Sequence, residues 1–378
     1  MPRYIGLDLH KHYIHGCEWM PDAPEQNHER HFRIPNTPAG WKALCAQLDR
    51  TCWIALEVTG SAFEAHDRLS PHAARVLLAN AHALKRLGSG RHTDRVDATR
   101  LAQMLALGTL PPVWVPPPAL RDVRRLLHYR ERLTSTRRRS INQAKAVLAR
   151  HGVLLPVRAD VTRAAARSDL AAVPPADRAI LASTLRQLSL LTEELHTVET
   201  EIASRAAATP AVPLLLTITN VGLIAATALW AILGDPQRFT HPKQLTRYVG
   251  LDPSIFQSGE QHRHGRISKN GNSLLRTVLV EAALGLARHD TGALGQFYAR
   301  KRAQIGHKKA LIALARKLLI VAWRMLLTGE VYRAAKPRSV ARKHRMLQRR
   351  ASQPSPSEPF VAPLDPVTSL KHQTPVPA

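Results

Sequence analysis

Residues 4–11 read YIGLDLHK, and this stretch decides the fold. Ile5, Leu7 and Leu9 alternate with small or polar residues, which is the period of two that predicts a strand with one apolar face. Asp8 falls on the opposite face of that strand. We therefore expect a carboxylate on the surface of a sheet, close to the amino terminus.

A second strand is predicted over residues 51–59, which read TCWIALEVT. Its residues alternate in the same way, and Glu57 falls on the face opposite to Ile54. If the two strands are neighbours, Asp8 and Glu57 converge. Two buried carboxylates repel each other unless a proton or a metal ion lies between them. We interpret the pair as a site for a divalent metal ion, with nucleic acid as the substrate.

Two more acids, Asp94 and Asp97, begin a helix that is predicted to extend to about Leu107. Their spacing places both on one helical face. On their own they favour a structural role, with Asp94 as the N-cap and Asp97 stabilised by the helix dipole. Beside Asp8 and Glu57 in one domain they favour metal ligation, because carboxylate oxygens are the ligands that Mg²⁺ prefers.

The first domain, residues 1–115, is predicted to be a mixed α/β sheet. Strands over about 3–10, 12–20, 28–34, 51–59 and 75–80 alternate with helices over 38–48 and 62–69. Thr37 and Pro38 have the residue types that cap and start a helix. Three histidines near the first strand are interpreted as surface residues: His10, His12 and His15.

The composition points to a polyanionic partner. Among 378 residues, 54 Lys and Arg outweigh 28 Asp and Glu, which gives a net charge of +26. Such an excess attracts phosphates, although ribosomal and membrane-surface proteins share it. The three cysteines form no CxxC pair, which argues against a disulfide framework and against a thiolate zinc site. With no signal peptide, and with residues 212–234 interpreted as two buried helices rather than a membrane span, we expect a cytoplasmic protein.

Prolines at 111–112 and 116–118 mark a domain boundary, and a helical region is predicted over residues 116–208. Its first helix, over 119–152, carries ten Lys and Arg against two acids. A solvated face is one explanation, but we prefer phosphate contact for the run Arg137, Arg138 and Arg139. The second helix, over 176–207, has leucines spaced by three and four residues, which predicts a coiled-coil hairpin or a subunit contact.

A third, mostly helical domain is predicted over residues 209–332. Helices on both sides of a turn at 219–222 resemble a helix-hairpin-helix, in which backbone N–H groups near Gly222 meet a phosphate. Any pair of antiparallel helices can have such a glycine turn. Thr240 is predicted to cap a helix that ends at Gly250, before a basic loop over 251–272 and helices over 273–288 and 307–327.

Within the basic loop, three cationic residues are candidate phosphate contacts: Arg263, Arg266 and Lys269. His262 and His264 could instead bind a metal, but they have no partners nearby in the sequence. From residue 333 the chain turns basic and then rich in Pro and Ser. We expect a disordered tail over 333–378 whose basic part binds polyanions.

Taken together, the motifs resemble those of the DEDD transposases of bacterial insertion sequences, which are relatives of the Piv-type DNA invertases. The resemblance covers about residues 3–330. The matching segments are IGLDLHK around Asp8, ALEVTGS around Glu57, TDRVDATRLAQML around Asp94 and Asp97, TITNVGLIAATALWAILGDPQRF, LTRYVGLDPS and QSGEQHRHGRISKNGNSLLRTVLVEAA. Each segment alone is weakly specific, whereas their combination in this order is highly specific.

The resemblance implies a RuvC-like (RNase H-like) first domain and a carboxy-terminal transposase domain. It also implies a mechanism in which the serine of an SG step, here Ser258-Gly259, attacks DNA while the four acids act with Mg²⁺. The phosphoserine link would conserve the bond energy for rejoining. A guide RNA encoded by the element is implied by the family alone. Because recombination joins four DNA ends, we expect a dimer or tetramer, in which different protomers can supply the acids and the serine of one site.

Several alternatives remain open from the residues alone. Ser258 could be an ordinary loop serine that makes a local turn hydrogen bond. Three nearby serines are alternative candidates for the nucleophile: Ser254, Ser268 and Ser273. A RuvC-like nuclease that uses water as the nucleophile, and a non-catalytic nucleic-acid-binding protein, are the competing functions. A phosphate-binding ATPase ranks last, because no second glycine-rich phosphate loop is present in the sequence.

Overall fold

The computed structural model describes residues 2–24, 28–87, 93–156, 159–167, 173–258 and 261–353, without the side chains of 87, 166, 167 and 255–264. The chain divides into two compact units, Met1–Pro116 and Pro117–Ala378. The first unit is built on a mixed sheet and the second is mostly helical.

In the first unit, six strands of the described chain form one sheet in the order β3-β2-β1-β4-β5-β6. Their bounds are β1 Arg3–Leu9, β2 Tyr13–Trp19, β3 Glu29–Pro35, β4 Cys52–Glu57, β5 Arg75–Ala79 and β6 Pro112–Val113. Strand β1 is antiparallel to β2 and parallel to β4, and β4 is parallel to β5. The predicted mixed sheet is therefore confirmed, and the two acid-bearing strands are neighbours.

The two faces of the sheet are buried by different helices. The helices of this unit are α1 Pro38–Ala46, α2 Ala62–Leu69, α3 Ala81–Leu87 and α4 Asp94–Ala106. Ile5, Leu7, Ile54 and Leu56 are buried in an apolar core with residues of α1 and α2. As predicted, Thr37 caps α1 by accepting a hydrogen bond from the Gly40 N–H.

Helix α4 covers the other face and contacts β1, β2 and β4. It approaches β1 so closely that a Cβ added to Gly6 would lie 2.0 Å from the carbonyl oxygen of Ala98. Only glycine leaves room for this contact, which holds α4 against the part of β1 that carries Asp8. The packing of one glycine thus fixes where the acid-bearing helix lies on the acid-bearing strand.

The second unit consists of ten α-helices, a short 3₁₀ helix (Pro236–Arg238) and one hairpin in its described part. The helices are α5 Pro118–Arg150, α6 Val161–Arg167, α7 Pro175–Ala207, α8 Ala211–Leu216, α9 Leu223–Leu233, α10 Pro242–Val249, α11 Ser273–His289, α12 Ala293–Ile305, α13 His307–Thr328 and α14 Pro337–Ala351. The two long helices α5 and α7 pack against each other. Arg130 and Glu199 join them through an ion pair of 2.7 Å.

The core of the second unit surrounds α9, whose residues are buried on nearly all sides. This confirms the interpretation of residues 212–234 as two buried helices around a turn. Asn220 in that turn has a φ of 57° and donates a hydrogen bond of 3.2 Å to the carbonyl of Gly285. Among the described helices, none combines the length and apolarity that a bilayer span requires.

Three expectations for the second unit are wrong. The loop predicted over 251–272 contains two paired antiparallel strands, β7 Pro253–Ser258 and β8 Gln261–Ile267. The sequence of this region is polar and basic and lacks the alternation of apolar residues that predicts a strand. The cap of α10 is His241, whose Nδ1 accepts from the Lys243 N–H, rather than Thr240.

The third difference concerns the carboxy-terminal segment, which was expected to be disordered from residue 333. Residues 337–351 form α14, which packs against α7 and α8 and buries Leu347. Lys343 donates hydrogen bonds of 2.8 and 2.6 Å to the carbonyl oxygens of Leu216 and Ile218. Helix α14 is therefore amphipathic despite its many basic residues, and its apolar face packs against the rest of the unit. Residues 354–378, the remainder of the predicted tail, lie outside the described residues.

Candidate active site

Asp8 and Glu57 lie at the same end of neighbouring parallel strands. Leu7 of β1 pairs with Leu56 of β4, so the next residue of each strand is an acid. Because residues at the same register position of paired strands share a face, both carboxylates lie on the side covered by α4. The convergence expected from the period of two is observed.

Helix α4 supplies the other two acids from its first turn. The hydroxyl of Thr93 caps the helix by accepting a hydrogen bond of 3.3 Å from the Val96 N–H. Asp94 is therefore the first helical residue and not the cap, so the capping alternative for Asp94 is wrong. Asp94 and Asp97 both lie in the first helical turn, as the helix-dipole alternative for Asp97 requires.

A cavity of about 250 Å³ brings three of the four acids together. Its lining consists of Asp8, Glu57, Leu84, Lys85, Asp97, Arg100 and Leu101. Sequence analysis missed the two cations at this cavity, Lys85 and Arg100. Arg100 donates a hydrogen bond of 3.1 Å to the carbonyl of Leu84, which holds α3 beside the acids. Its position one helical turn after Asp97 was the available signal.

Asp94 joins the group through His10. The Nε2 atom of His10 lies 3.0 Å from Oδ2 of Asp8 and 3.3 Å from Oδ1 of Asp94. One ligand atom from each of these three residues lies within 4.8 Å of the other two. His10 is partly exposed, and its position between two of the acids is a contact that the interpretation as a surface histidine did not include. His15 is half-buried, whereas His12 is exposed as expected.

The two aspartates beside His10 have shifted pKa values in opposite directions. Burial raises the pKa of Asp8; His10 opposes this shift, and the charges of Asp94 and Asp97 add to it. The hydroxyl of Tyr13 donates a hydrogen bond of 2.7 Å to Asp94 and lowers the pKa of that carboxyl. The site thus contains one carboxyl with a raised pKa and one with a lowered pKa.

This donor set fits a divalent cation. Carboxylates from a strand and a helix converge on one side of the sheet, with an imidazole between two of them. The raised pKa of Asp8 shows that its negative charge lacks full compensation from the protein alone. A hard cation bound by oxygen ligands would provide that compensation. Asp8, Glu57, Asp94 and Asp97 are the residues that would hold it.

Ser258 is the last residue of β7 in the second unit. Its side chain and residue Gly259 lie outside the described residues. Two of the rival serines are engaged locally: the hydroxyl of Ser254 donates to the carbonyl of Arg266 at 2.8 Å, and that of Ser268 donates to Asp252 at 2.6 Å. Ser273 is the first residue of α11, after its cap Asn272.

The predicted nucleic-acid contacts are distributed over the second unit. Arg138 and Gly222 line one cleft of about 800 Å³, which Arg350 also lines. Arg139 is exposed, whereas Arg137 is half-buried and donates to the hydroxyl of Thr192 at 3.3 Å.

The hairpin region carries the other predicted contacts. Arg266 and Lys269 are exposed beside it. The side chains of Arg263, His262 and His264 lie outside the described residues, so the predictions for them are untested.

A mixed sheet whose strands and covering helix present four acids is consistent with a DEDD nuclease-like domain. Comparison with known proteins identifies the family. A model for DEDD transposases of the IS110 type matches residues 5–152, and a model described as "Transposase IS116/IS110/IS902 family" matches residues 212–299.

Individual relatives agree with these matches. The "Putative transposase y4rJ" of Sinorhizobium fredii is 30% identical over 64% of this chain and 68% of its own length. The "Transposase for insertion sequence element IS1111A" of Coxiella burnetii is 26% identical over 88% of this chain and 91% of its own. The "Probable family 20 transposase" of Pseudomonas aeruginosa is 26% identical over 87% of this chain and 98% of its own. The chain belongs to the IS110 family of insertion-sequence transposases.

Proposed function

We propose that the protein cuts and rejoins DNA at the ends of an insertion sequence through a covalent DNA–phosphoserine intermediate. In this proposal Asp8, Glu57, Asp94 and Asp97 hold Mg²⁺, and Ser258 is the nucleophile. The observation that carries the metal-dependent part is the convergence of the four acids around one cavity and His10. Membership of the transposase family supports DNA as the substrate.

The chemistry requires a phosphorus centre to exchange one oxygen for another. The Oγ of Ser258 forms a bond to the scissile phosphorus while a bond from that phosphorus to a deoxyribose oxygen breaks. The proton lost by the serine and the proton gained by the leaving oxygen balance the step. Attack by a second DNA hydroxyl on the phosphoserine reverses the exchange, so the strands rejoin without an external energy source.

The residues at the cavity have distinct parts in this proposal. Bound Mg²⁺ would polarise the phosphate and stabilise the negative charge on the displaced oxygen. Lys85 and Arg100 lie at the same cavity and would attract and orient the phosphate. His10 contacts two of the acids and would hold their carboxylates in position while the phosphate approaches.

A suicide DNA substrate tests the nucleophile. When the substrate is nicked close to the cleavage point, a short fragment diffuses away and the proposed intermediate cannot reverse. A denaturing gel should then show DNA covalently attached to the wild-type protein. Ser258→Ala should leave no covalent product, and Ser254→Ala, a neighbouring hydroxyl that is already hydrogen-bonded, should retain it.

The same experiment distinguishes the alternatives. Cleavage by Ser258→Ala at the wild-type rate, without attached protein, would establish a nuclease that uses water. Unchanged DNA rearrangement with Asp8→Asn would show that the acids are not catalytic. The family resemblance is the support for the nucleophile, and the acid cluster supports the metal, so the two parts can fail separately.

Three further parts of the proposal concern a guide RNA, the oligomeric state and the location of the protein. The basic helix α5 would bind a structured guide RNA encoded by the element, and RNA that copurifies with the wild-type protein should map beside its gene. A dimer or tetramer would hold the four DNA ends, and light scattering of the DNA complex would measure this. The protein would act in the cytoplasm, where bacterial DNA is accessible.

A further inference from the structure

A second cluster of metal-binding side chains lies on the same face of the sheet, on strands that the proposed magnesium site does not use. Cys17 of β2 and His31 of β3 are directly paired across the antiparallel ladder. Glu29 precedes His31 by two residues, so strand alternation places it on the same face. The backbone register therefore gathers a thiol, an imidazole and a carboxylate at one point.

The described side chains meet at ligand distances. One atom each from Cys17, Glu29 and His31 lies within 4.8 Å of the other two. The Nε2 atom of His31 is 2.9 Å from Oε2 of Glu29. The Cys17 side chain is fully buried, and 13% of the His31 side chain is exposed, so a bound ion would be largely shielded from water.

A fourth group, the hydroxyl of Thr99 on α4, lies among these three. Its Oγ1 is 3.5 Å from Sγ of Cys17, 3.4 Å from Oε2 of Glu29 and 3.5 Å from Nε2 of His31. Four ligands around a tetrahedral zinc ion lie about 3.3–3.8 Å from one another, given metal–ligand bonds of about 2.0–2.3 Å. Ligand atoms that lie within 4.8 Å of one another reach that arrangement by side-chain movements of about 1 Å.

His15 completes the arrangement from outside. Its Nε2 lies 3.2 Å from Nδ1 of His31, which leaves Nε2 of His31 directed at Glu29 and Cys17. A hydrogen bond from Nδ1–H of a histidine to a second acceptor is the usual way in which a metal-binding tautomer is fixed. The cluster therefore contains both direct ligands and a residue that orients one of them.

We propose that Cys17, Glu29 and His31 bind a zinc ion, with Thr99 or a water molecule as the fourth ligand. The mixed sulfur, nitrogen and oxygen set favours zinc over Mg²⁺, which prefers oxygen ligands. The lack of a CxxC pair argues against zinc sites that are built from several cysteines. The site proposed here needs only the single thiolate of Cys17. The site would connect β2 and β3 to α4, the helix that carries Asp94 and Asp97.

Cobalt substitution tests the proposal on the full-length protein. Co²⁺ bound to a thiolate gives a sulfur-to-metal charge-transfer absorption, and tetrahedral Co²⁺ gives strong visible bands. In the wild-type protein one Co²⁺ bound at this cluster should give both signals, in addition to Co²⁺ held by the four acids, and Zn²⁺ should remove the charge-transfer band by displacing it. Zinc should also raise the melting temperature, because a ligand that binds only the folded state stabilises it.

Variants assign the signal to the cluster. Cys17→Ser should abolish the charge-transfer band, and Glu29→Gln should weaken Zn²⁺ binding at least about tenfold. Cys45→Ser is the matched control, because Cys45 is a free thiol on α1 outside the cluster and should leave the band unchanged. Asp8→Asn should also retain the band, which separates this site from the proposed magnesium site.

Each outcome decides the question. A protein that gives no thiolate band with Co²⁺, or a band that persists in Cys17→Ser, would overturn the proposal, and the residues would then form only an ion-paired network. If Cys17→Ser does not fold, Glu29→Gln remains informative because Glu29 is exposed at the start of β3. Wild-type affinity in that variant would contradict the assignment of Glu29 as a ligand.

Discussion

The hydroxyl of Tyr13 donates a 2.7 Å hydrogen bond to Oδ2 of Asp94. This contact links β2 to the first turn of α4 and lowers the pKa of the Asp94 carboxyl. Tyr13 also carries the guanidinium of Arg33 over its ring at 3.6 Å, which adds positive charge on the same side. The hydrogen bond from Tyr13 therefore favours the ionised form of Asp94 and fixes the direction of the oxygen that it contacts.

Removing this hydroxyl should weaken metal binding without unfolding the protein. Tyr13→Phe leaves the ring and removes the donor, so the concentration of Mg²⁺ at half-maximal cleavage should rise about three- to tenfold. Cleavage at saturating Mg²⁺ should change much less. Titration of Mg²⁺ in the suicide-substrate assay measures both quantities. An unchanged Mg²⁺ requirement would show that Asp94 does not depend on Tyr13 for its role.

The contact between Gly6 and α4 predicts that a methyl group added at residue 6 strongly lowers the stability of the fold. In Gly6→Ala the new Cβ would meet the Ala98 carbonyl, so α4 must move, and we expect a loss of roughly 1–3 kcal/mol in the free energy of unfolding. Gly60→Ala is the control, since no described atom lies within 4 Å of a Cβ at that position. Urea unfolding of both variants gives the comparison, and equal stabilities would contradict the close approach.

Lys343 predicts a dependence of stability on pH. Burial lowers the pKa of Lys343 to about 8, whereas an unfolded lysine keeps its ordinary value of 10.5. Between these values the unfolded state binds the additional proton, so the free energy of unfolding should rise with pH. The neutral amine still has two N–H groups for the carbonyls of Leu216 and Ile218.

The partial exposure of Lys343 limits the size of this effect. We expect the free energy of unfolding to rise by roughly 1–2 kcal/mol from pH 8 to 10.5, which is less than the pKa shift of a fully buried lysine would give. The difference in stability between wild type and Lys343→Met should therefore grow with pH over this range. Lys336→Met, at an exposed position before α14, should show no such trend. A flat difference for Lys343→Met would contradict the buried environment.

The cleft that contains Arg138 and Gly222 predicts a nonspecific phosphate contact. Arg138→Gln should weaken binding to DNA or RNA of any sequence by a similar factor and reduce the salt slope of the affinity by about 1. Arg163→Gln, an exposed arginine on α6, is the control for the loss of one charge. Fluorescence anisotropy at several salt concentrations measures the slope. An equal effect in both variants would indicate general charge attraction.

Metal removal should separate binding from catalysis. A chelator should abolish covalent attachment of DNA, and Mg²⁺ should restore it, because the four acids would repel one another when a phosphate approaches without a cation. Binding to DNA through the exposed arginines of the second unit should persist in the chelator. Cleavage that continues at the same rate without divalent metal would contradict the proposed role of the acids.

Sequence patterns predicted the half of the site that depends on local periodicity. Alternation in residues 4–11 and 51–59 placed Asp8 and Glu57 on one face, and the parallel pairing of β1 with β4 made them neighbours. The role of His10 could not be predicted, because it depends on where the end of β1 meets the start of α4. The same holds for Tyr13 and Lys85, which reach the acids from β2 and α3.

Two segments with many basic residues were predicted to lack regular structure, although they form a helix and a strand. Residues 337–351 are dominated by Arg and Lys, yet one face buries Leu347 and directs Lys343 at backbone carbonyls. Residues 261–267 are likewise rich in basic side chains, yet they form a strand that pairs with β7. The partners of α14, helices α7 and α8, lie far away in the sequence, which local propensity cannot register, whereas β8 pairs with the strand directly before it.

The cap of α4 has a genetic consequence. Because Thr93 starts that helix, loss of the carboxylate at Asp94 by mutation would spare the fold of the domain. Under the proposed function, a genome that accumulates copies of the element would then contain folded chains that bind the ends of intact copies without cleaving them. Copies that lose an acid by mutation would in this way produce chains that inhibit the transposition of intact copies, which would limit the spread of the element.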